Sequence, residues 1–152
     1  MANYLITFML VLLMSQCRDT QTTEPMPQSN SGKFGQVFTL EQGQEITLTN
    51  DKESLNLGIS KLVDSRCPED VSCIWQGNAT LTLEASNASE SKKQLTLCIG
   101  DCRPDPVREE HTIRATIGGK AYSITLQNVT PYPNTQEQIT ANAVTLLVEP
   151  AE

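Results

Sequence analysis

The feature that most constrains the fold of this chain is a series of short segments in which apolar and polar residues alternate. The clearest segment has apolar residues at every second position: Ala79, Leu81, Leu83 and Ala85. A period of two indicates a strand that buries one face. From residue 33 onward about eight such segments follow one another between turn-forming residues, and no helical period of useful length is present. The pattern therefore predicts an all-β domain.

Strands with one apolar face bury that face when two sheets pack together. We therefore expect an antiparallel β-sandwich, either immunoglobulin-like or a flattened barrel. Segments 37–40 and 46–49 flank Gln42-Gly43, which predicts a hairpin. Gly118-Gly119 lies between two further alternating segments and predicts a second hairpin, because a type I′ turn needs positive φ at both central positions.

The cysteines predict that the domain is stapled by disulfides. The chain has five, and if Cys17 is modified, as argued below, four remain: Cys67, Cys73, Cys98 and Cys102. An even number in an exported domain indicates two disulfides. Turn formers within both local spacings favour pairing Cys67 with Cys73 and Cys98 with Cys102. A Cys73–Cys102 bond across a hairpin and a zinc site made by all four are the alternatives.

The N-terminal residues predict an export signal. Residues 4–14 form an apolar run broken only by Thr7, and as a helix the run would be about 16 Å long, too short for the ~30 Å core of a bilayer. Such a run is typical of a signal peptide, here residues 1–16. The Met-Ser-Gln-Cys sequence that ends at Cys17 resembles the lipobox of bacterial lipoproteins, in which the cysteine is lipidated and becomes the N-terminus. The alternative is ordinary signal cleavage that leaves Cys17 free.

The segment after Cys17 is polar. Residues 18–32 contain one apolar side chain, Met26, besides two prolines. Such a segment cannot bury enough surface to offset the entropy of ordering, so we expect a flexible tether at 17–32 and a single β domain at 33–152. The expected location is the bacterial cell envelope, lipid-anchored and either periplasmic or surface-exposed.

The acidic charge excludes some partners. The formal net charge is −7, and the longest basic run is Lys92-Lys93. Nucleic acids and anionic lipid surfaces are polyanions, so we expect no nucleic-acid partner. We expect a monomer without metal or cofactor, attached to the membrane through its N-terminal lipid and with an envelope protein as partner. Weak calcium binding by loop carboxylates stays open.

The most distinctive motif runs from Asp64-Ser65-Arg66-Cys67-Pro68 to Cys73-Ile74-Trp75-Gln76-Gly77-Asn78-Ala79. It resembles the Asp-Ser-Arg-Cys-Pro…Cys-x-Trp-x-Gly-x-Ala motif of a group of small bacterial exported proteins and lipoproteins. A weaker similarity at 122–133 extends the resemblance over most of residues 36–148. The resemblance implies a fold and a location but no activity. Cys98 and Cys102 look like an addition to the pattern, which supports pairing Cys67 with Cys73.

Two residues of the motif allow both a structural and a functional interpretation. In the structural one, which we favour, Trp75 is a core residue packed on the Cys67–Cys73 disulfide. Arg66 lies two residues from Asp64, on the same face of an extended strand, and pairs with it. In the functional interpretation, Arg66, Trp75 and the disulfide loop form a recognition surface.

Catalytic chemistry is disfavoured by the residue types present. His111 is the only histidine and follows Glu109-Glu110 with no nucleophile nearby in the sequence. We therefore predict an envelope-anchored lipoprotein whose β-sandwich is a non-enzymatic binding or structural module. The alternative is a secreted inhibitor of a peptidase or lytic enzyme that uses the Cys67–Cys73 loop. A hydrolase is the least favoured hypothesis.

Overall fold

The computed structural model describes residues 29–136 and 142–151, and these form the predicted β-sandwich. The described part contains nine strands. In chain order they are β1 (Ser29–Lys33), β2 (Val37–Glu41), β3 (Glu45–Thr49), β4 (Ser54–Asp64), β5 (Asn78–Ser86), β6 (Lys93–Gly100), β7 (His111–Ile117), β8 (Lys120–Thr130) and β9 (Ala143–Ala151). Among these residues no helix has the length and hydrophobicity needed to span a membrane.

The strands form two sheets that pack face to face. The first has the order β1-β3-β4-β5-β6, and its last four strands are sequential antiparallel neighbours. The second has the order β2-β9-β8-β7 and is antiparallel throughout. Only β1 departs from this rule, because it pairs with β3 in parallel.

The core lies between the two sheets and is built by the alternation seen in the sequence. Strand β5 buries every second residue from Ala79 to Ala85, and β8 does the same from Tyr122 to Leu126. Each buried aliphatic side chain contributes roughly 1.5–3 kcal/mol. The largest fully buried side chain is Tyr122, whose ring stacks on Phe34 at 5.8 Å between centroids. Its hydroxyl donates to Glu53 at 3.0 Å, and burial, with that carboxylate beside it, raises the pKa of Tyr122 to about 12.

One of the two predicted hairpins is confirmed and the other is wrong. Gly118 and Gly119 have positive φ and join β7 to β8, with Ile117 opposite Lys120. Residues 37–41 and 45–49, in contrast, lie in different sheets, because β2 pairs with β9 whereas β3 pairs with β4 and β1. Gly43 therefore lies in a connection that crosses from one sheet to the other.

The ninth strand, β1, was not predicted. Residues 29–32, which their composition assigns to the tether, pair with β3 from Ser29 opposite Glu45 to Gly32 opposite Leu48. The strand Ser-Asn-Ser-Gly-Lys has no apolar side chain, so hydrophobic periodicity gives no signal for it. It is held to the edge of the sheet by its backbone. The ordered domain thus includes at least four residues before the predicted start at residue 33.

Both disulfides lie at the same end of the sandwich. Strands β4, β6 and β8 end there, and three long connections leave from them: residues 65–77, 101–110 and 131–136. We call this group of connections the loop pole. The opposite end carries shorter turns, including Gly118-Gly119.

Candidate functional site

The two disulfides fix the first two connections of the loop pole. Cys67 is bonded to Cys73, with 5.9 Å between Cα atoms, and Cys98 to Cys102, with 6.1 Å. This is the local pairing that the turn formers favour, and it leaves neither a Cys73–Cys102 bond nor thiolates for a zinc site. The connections themselves contribute few buried apolar side chains, so the covalent bonds supply order that packing does not.

Hydrogen bonds tie the three connections to one another. The backbone N–H of Glu69 donates to the carbonyl of Pro133 at 3.1 Å. Asp70 accepts from both the backbone N–H and the hydroxyl of Thr135, and these bonds lower the pKa of the Asp70 carboxyl. The N–H of Asp101 donates to the carbonyl of Gly77 at 2.8 Å. The loop pole is therefore one connected surface.

Gly77 allows the two ends of the first connection to approach each other closely. Its φ is +68°, and a Cβ built at this position would lie 1.9 Å from the carbonyl oxygen of Ser65. No residue with a side chain fits there without a shift of backbone. The glycine of the motif is thus explained by a close contact between the two ends of the first connection, at Ser65 and Gly77.

Arg66 is a structural residue at the base of the pole. It is only 8% exposed, and its guanidinium donates to both Asp64 oxygens, with Nε–Oδ1 at 2.9 Å and Nη2–Oδ2 at 2.6 Å. The predicted pairing with Asp64 is therefore confirmed. Nη2 also donates to the carbonyl of Val129 at 2.8 Å, and the guanidinium lies 4.2 Å from the ring centroid of Tyr132. Arg66 thus joins the first sheet to the second.

The predicted core position of Trp75 is wrong. The residue is 45% exposed, and its Nε1–H donates to Asp101 at 2.5 Å instead of packing into the sandwich. Arg103 also donates to that carboxylate, and the hydrogen bonds from Arg103 and Trp75 lower the pKa of Asp101. The core is complete without the indole, because Tyr122 and the aliphatic residues of both sheets fill it. Trp75 is therefore an exposed ring held in a fixed orientation.

Exposed apolar side chains concentrate on the loop pole. Seven large hydrophobic residues of the described part are exposed, and five of them belong to its three connections: Val71, Ile74, Trp75, Val107 and Tyr132. Ile74 is the extreme case, since its exposure is 110% of the reference value. It lies between the disulfide-bonded Cys73 and the hydrogen-bonded Trp75. Exposed apolar groups clustered on an ordered surface are typical of interaction sites.

An open cleft of about 530 Å³, which we call the Trp75 cleft, lies on the outer side of β5 and β6. Trp75, Arg103, the Cys98–Cys102 disulfide and His111 are among the residues that line it. The Nδ1 atom of His111 accepts the backbone N–H of Cys98 at 3.0 Å, which places the proton of the neutral ring on Nε2. Burial lowers the pKa of His111, and the nearby Arg108 lowers it further against an opposing effect of Asp105, which favours the neutral ring.

A second cleft of about 440 Å³ lies beside the first, and we call it the Tyr132 cleft. Its lining includes Tyr132 and three amide side chains, Gln76, Gln127 and Asn128. Arg108 borders both clefts. Its backbone forms two hydrogen bonds with Gly100, at 2.7 and 3.1 Å, which hold the dividing residue in place.

The remaining candidate residue, Cys17, lies outside the described residues. Four residues of the site were not predicted from the sequence: Ile74, Tyr132, Asp101 and Arg108. One signal was available for Ile74: it forms an apolar pair with Trp75 in a segment that lacks the period of a strand. The other three became visible only when the fold brought separate connections together.

No family model matches the chain, and no curated protein or solved structure is significantly similar to it.

Proposed function

We propose that this chain is a bacterial envelope lipoprotein, anchored through Cys17, whose β-sandwich is a non-enzymatic module that binds its ligand with the loop pole. The observation that carries the proposal is the concentration of exposed apolar side chains on three connections that two disulfides and cross-loop hydrogen bonds hold in place. A surface that is ordered before binding loses less entropy when it binds. Exposed apolar residues without a partner would be a liability in a monomer.

The envelope location is supported by the N-terminal sequence and by the disulfides. Disulfides persist in oxidising compartments, whereas cytosolic thiols are kept reduced. Residues 4–14 and Cys17 supply the export and lipidation signals. The lack of catalytic function is supported by the single histidine, because Nδ1 of His111 is occupied by a backbone N–H, and by the four cysteines of the domain, which are all oxidised.

The test measures retention of the mature chain on envelope preparations from its host. All proteins carry Cys17→Ser so that the lipid does not hold them in the membrane. We compare Ile74→Ser and Trp75→Ala with Val37→Ser, a matched control in which another exposed β-branched residue is changed on β2, away from the loop pole. Loss of a central apolar contact should weaken retention about tenfold.

Weaker retention of either loop-pole variant, with normal retention of the Val37→Ser control, supports the proposal. Equal retention of all three variants contradicts it, as does a parent protein that is not retained at all. Melting temperatures are measured alongside. Because both loop-pole side chains are exposed, the substitutions should leave folding intact.

The inhibitor hypothesis is a second candidate, favoured by one specific observation. Ile74 projects fully into solvent from a loop that is fixed on one side by the Cys67–Cys73 disulfide and on the other by the Trp75–Asp101 hydrogen bond. Such a projection suits insertion into the cleft of an enzyme. Assays of the host's envelope peptidases and lytic enzymes with the parent protein and Ile74→Ser test it: inhibition by the parent and none by the variant is the expected result.

A further inference from the structure

We propose that the Trp75 cleft and the Tyr132 cleft together bind a neutral oligosaccharide. This inference rests on the proposed function and names the class of ligand for the loop pole. The clefts are adjacent, each has a volume within the range of small-ligand sites, and each is lined by one exposed aromatic ring. Two such clefts that share Arg108 in their linings suit a ligand made of repeated units.

The aromatic rings provide the apolar part of the site. A pyranose ring has one face of C–H groups, which packs on an aromatic face, and a rim of hydroxyls, which needs hydrogen bonds. The Trp75 ring is oriented by its bond to Asp101, and the Tyr132 ring lies against the guanidinium of Arg66. Both rings are therefore ordered before the ligand arrives, and both keep about half of their surface exposed.

The polar part of the site matches a ligand rich in hydroxyls. In the Trp75 cleft, Nε2–H of His111 and the hydroxyl of Thr96 are available, since neither forms a hydrogen bond to another of the described residues. In the Tyr132 cleft, Gln76 and Gln127 present amides, which both donate and accept. Asn128 adds an amide N–H, since its side-chain oxygen already accepts a backbone N–H. Hydroxyls also donate and accept, so amides and hydroxyls are their natural partners.

The charges favour a neutral ligand over an anionic one. Three arginines line the clefts, and each forms an ion pair with an aspartate: Arg66 with Asp64, Arg103 with Asp101, and Arg108 with Asp105. An anionic ligand would compete with these carboxylates and would meet a protein of net charge −7. A neutral sugar leaves the three pairs intact.

The experiment titrates the mature Cys17→Ser chain with neutral chito-, cello-, malto- and manno-oligosaccharides of increasing length, and with oligogalacturonate as the anionic counterpart. Trp75 is the only tryptophan, so its fluorescence reports stacking in its own cleft. We expect a saturable blue shift with at least one neutral series and an affinity that rises with length as the second cleft fills. For the variant that lacks the indole, sugar binding is measured by calorimetry.

The variants separate the two clefts. Trp75→Ala should weaken binding at least about tenfold, the effect of losing one stacked ring. Tyr132→Ala should remove the gain in affinity with length, because the second cleft loses its stacking ring. Val37→Ser is the control and should bind like the parent.

Three results would overturn the inference. The first is that no neutral series binds at concentrations up to about 10 mM, above the dissociation constants of most specific ligands. The others are tighter binding of oligogalacturonate than of any neutral series, and unchanged binding by Trp75→Ala. If no sugar binds but Ile74→Ser is still lost from envelope preparations, the glycan inference is wrong and the proposed function stands. If neither sugars nor envelope preparations distinguish the variants, both are wrong.

Discussion

Breaking the Arg66–Asp64 pair should destabilise the protein more than any other change of a charged side chain at the loop pole. The two side chains are 7% and 4% exposed, and Arg66→Leu leaves the Asp64 carboxylate buried with only the backbone N–H of residue 66 as donor. The carbonyl of Val129 loses its donor as well. Removing one partner of a buried pair costs about 3–5 kcal/mol, a large part of the ~5–15 kcal/mol stability of a domain.

The assay is urea denaturation followed by circular dichroism in a double-mutant cycle of Arg66→Leu, Asp64→Leu and the double variant. With a slope of about 2 kcal/mol per M, either single variant should lower the unfolding midpoint by about 2 M. The double variant should be more stable than the sum of the two losses predicts, because it leaves no unpaired charge. Lys92→Met breaks an exposed ion pair and should cost no more than about 1 kcal/mol. If Arg66→Leu and Asp64→Leu each lower the free energy of unfolding by less than about 1 kcal/mol, the structural role of this ion pair is refuted.

Three further predictions concern residues of the loop pole and its surroundings, and a fourth concerns the N-terminal sequence. Trp75→Ala should lower the free energy of unfolding by less than the ~3–5 kcal/mol expected for a buried aromatic residue, and iodide should readily quench the tryptophan fluorescence of the native protein. A loss of stability within that range would mean that the ring belongs to the core. Burial lowers the pKa of His111 in the folded state, so the unfolded chain binds more protons and stability should fall as the pH drops below about 6.5. His111→Gln keeps a hydrogen-bond acceptor and should make the melting temperature depend less on pH in this range. An unchanged dependence would contradict the lowered pKa of His111. Gly77→Ala should lower the free energy of unfolding by at least about 2 kcal/mol. Gly119→Ala is the control and should lower it by about 1 kcal/mol, because φ is also positive there but no atom lies near the added Cβ. Equal losses of stability in melting experiments would contradict the close contact at Gly77. Mass spectrometry of protein expressed in a bacterium should show an acylated N-terminal Cys17, and a soluble product that is unaffected by Cys17→Ser ends the lipoprotein proposal.

The sequence predicted the elements that depend on hydrophobic alternation or on turn chemistry. Strand β5 was visible because every second residue is apolar, and the β7–β8 hairpin because two glycines meet the demand for positive φ. The pairing of Cys67 with Cys73 followed from short spacing and from the resemblance to the exported proteins. In each case the information is local in the chain.

The predictions failed where the outcome depends on distant residues. Gly43 gives the signal of a turn but does not say whether the two strands stay in one sheet, which depends on their pairing with β9 and β4. Strand β1 is held by backbone bonds, which leave no trace in hydrophobic periodicity. Trp75 was assigned to the core by its size, but Tyr122 and aliphatic residues make up the core, and Asp101 offers the indole N–H a partner at the surface.

Strand β1 has a mechanical consequence for an anchored protein. It runs parallel to β3, and the first of its five paired positions is Ser29, the end that leads toward Cys17. A lipid on Cys17, as proposed, would transmit any pull from the membrane to Ser29. When such a force acts along the axis of the strand, all the β1–β3 hydrogen bonds resist it in shear, whereas a force across the strand would open them one after another. The β1–β3 pairing therefore resists a pull along the strand better than a pull across it.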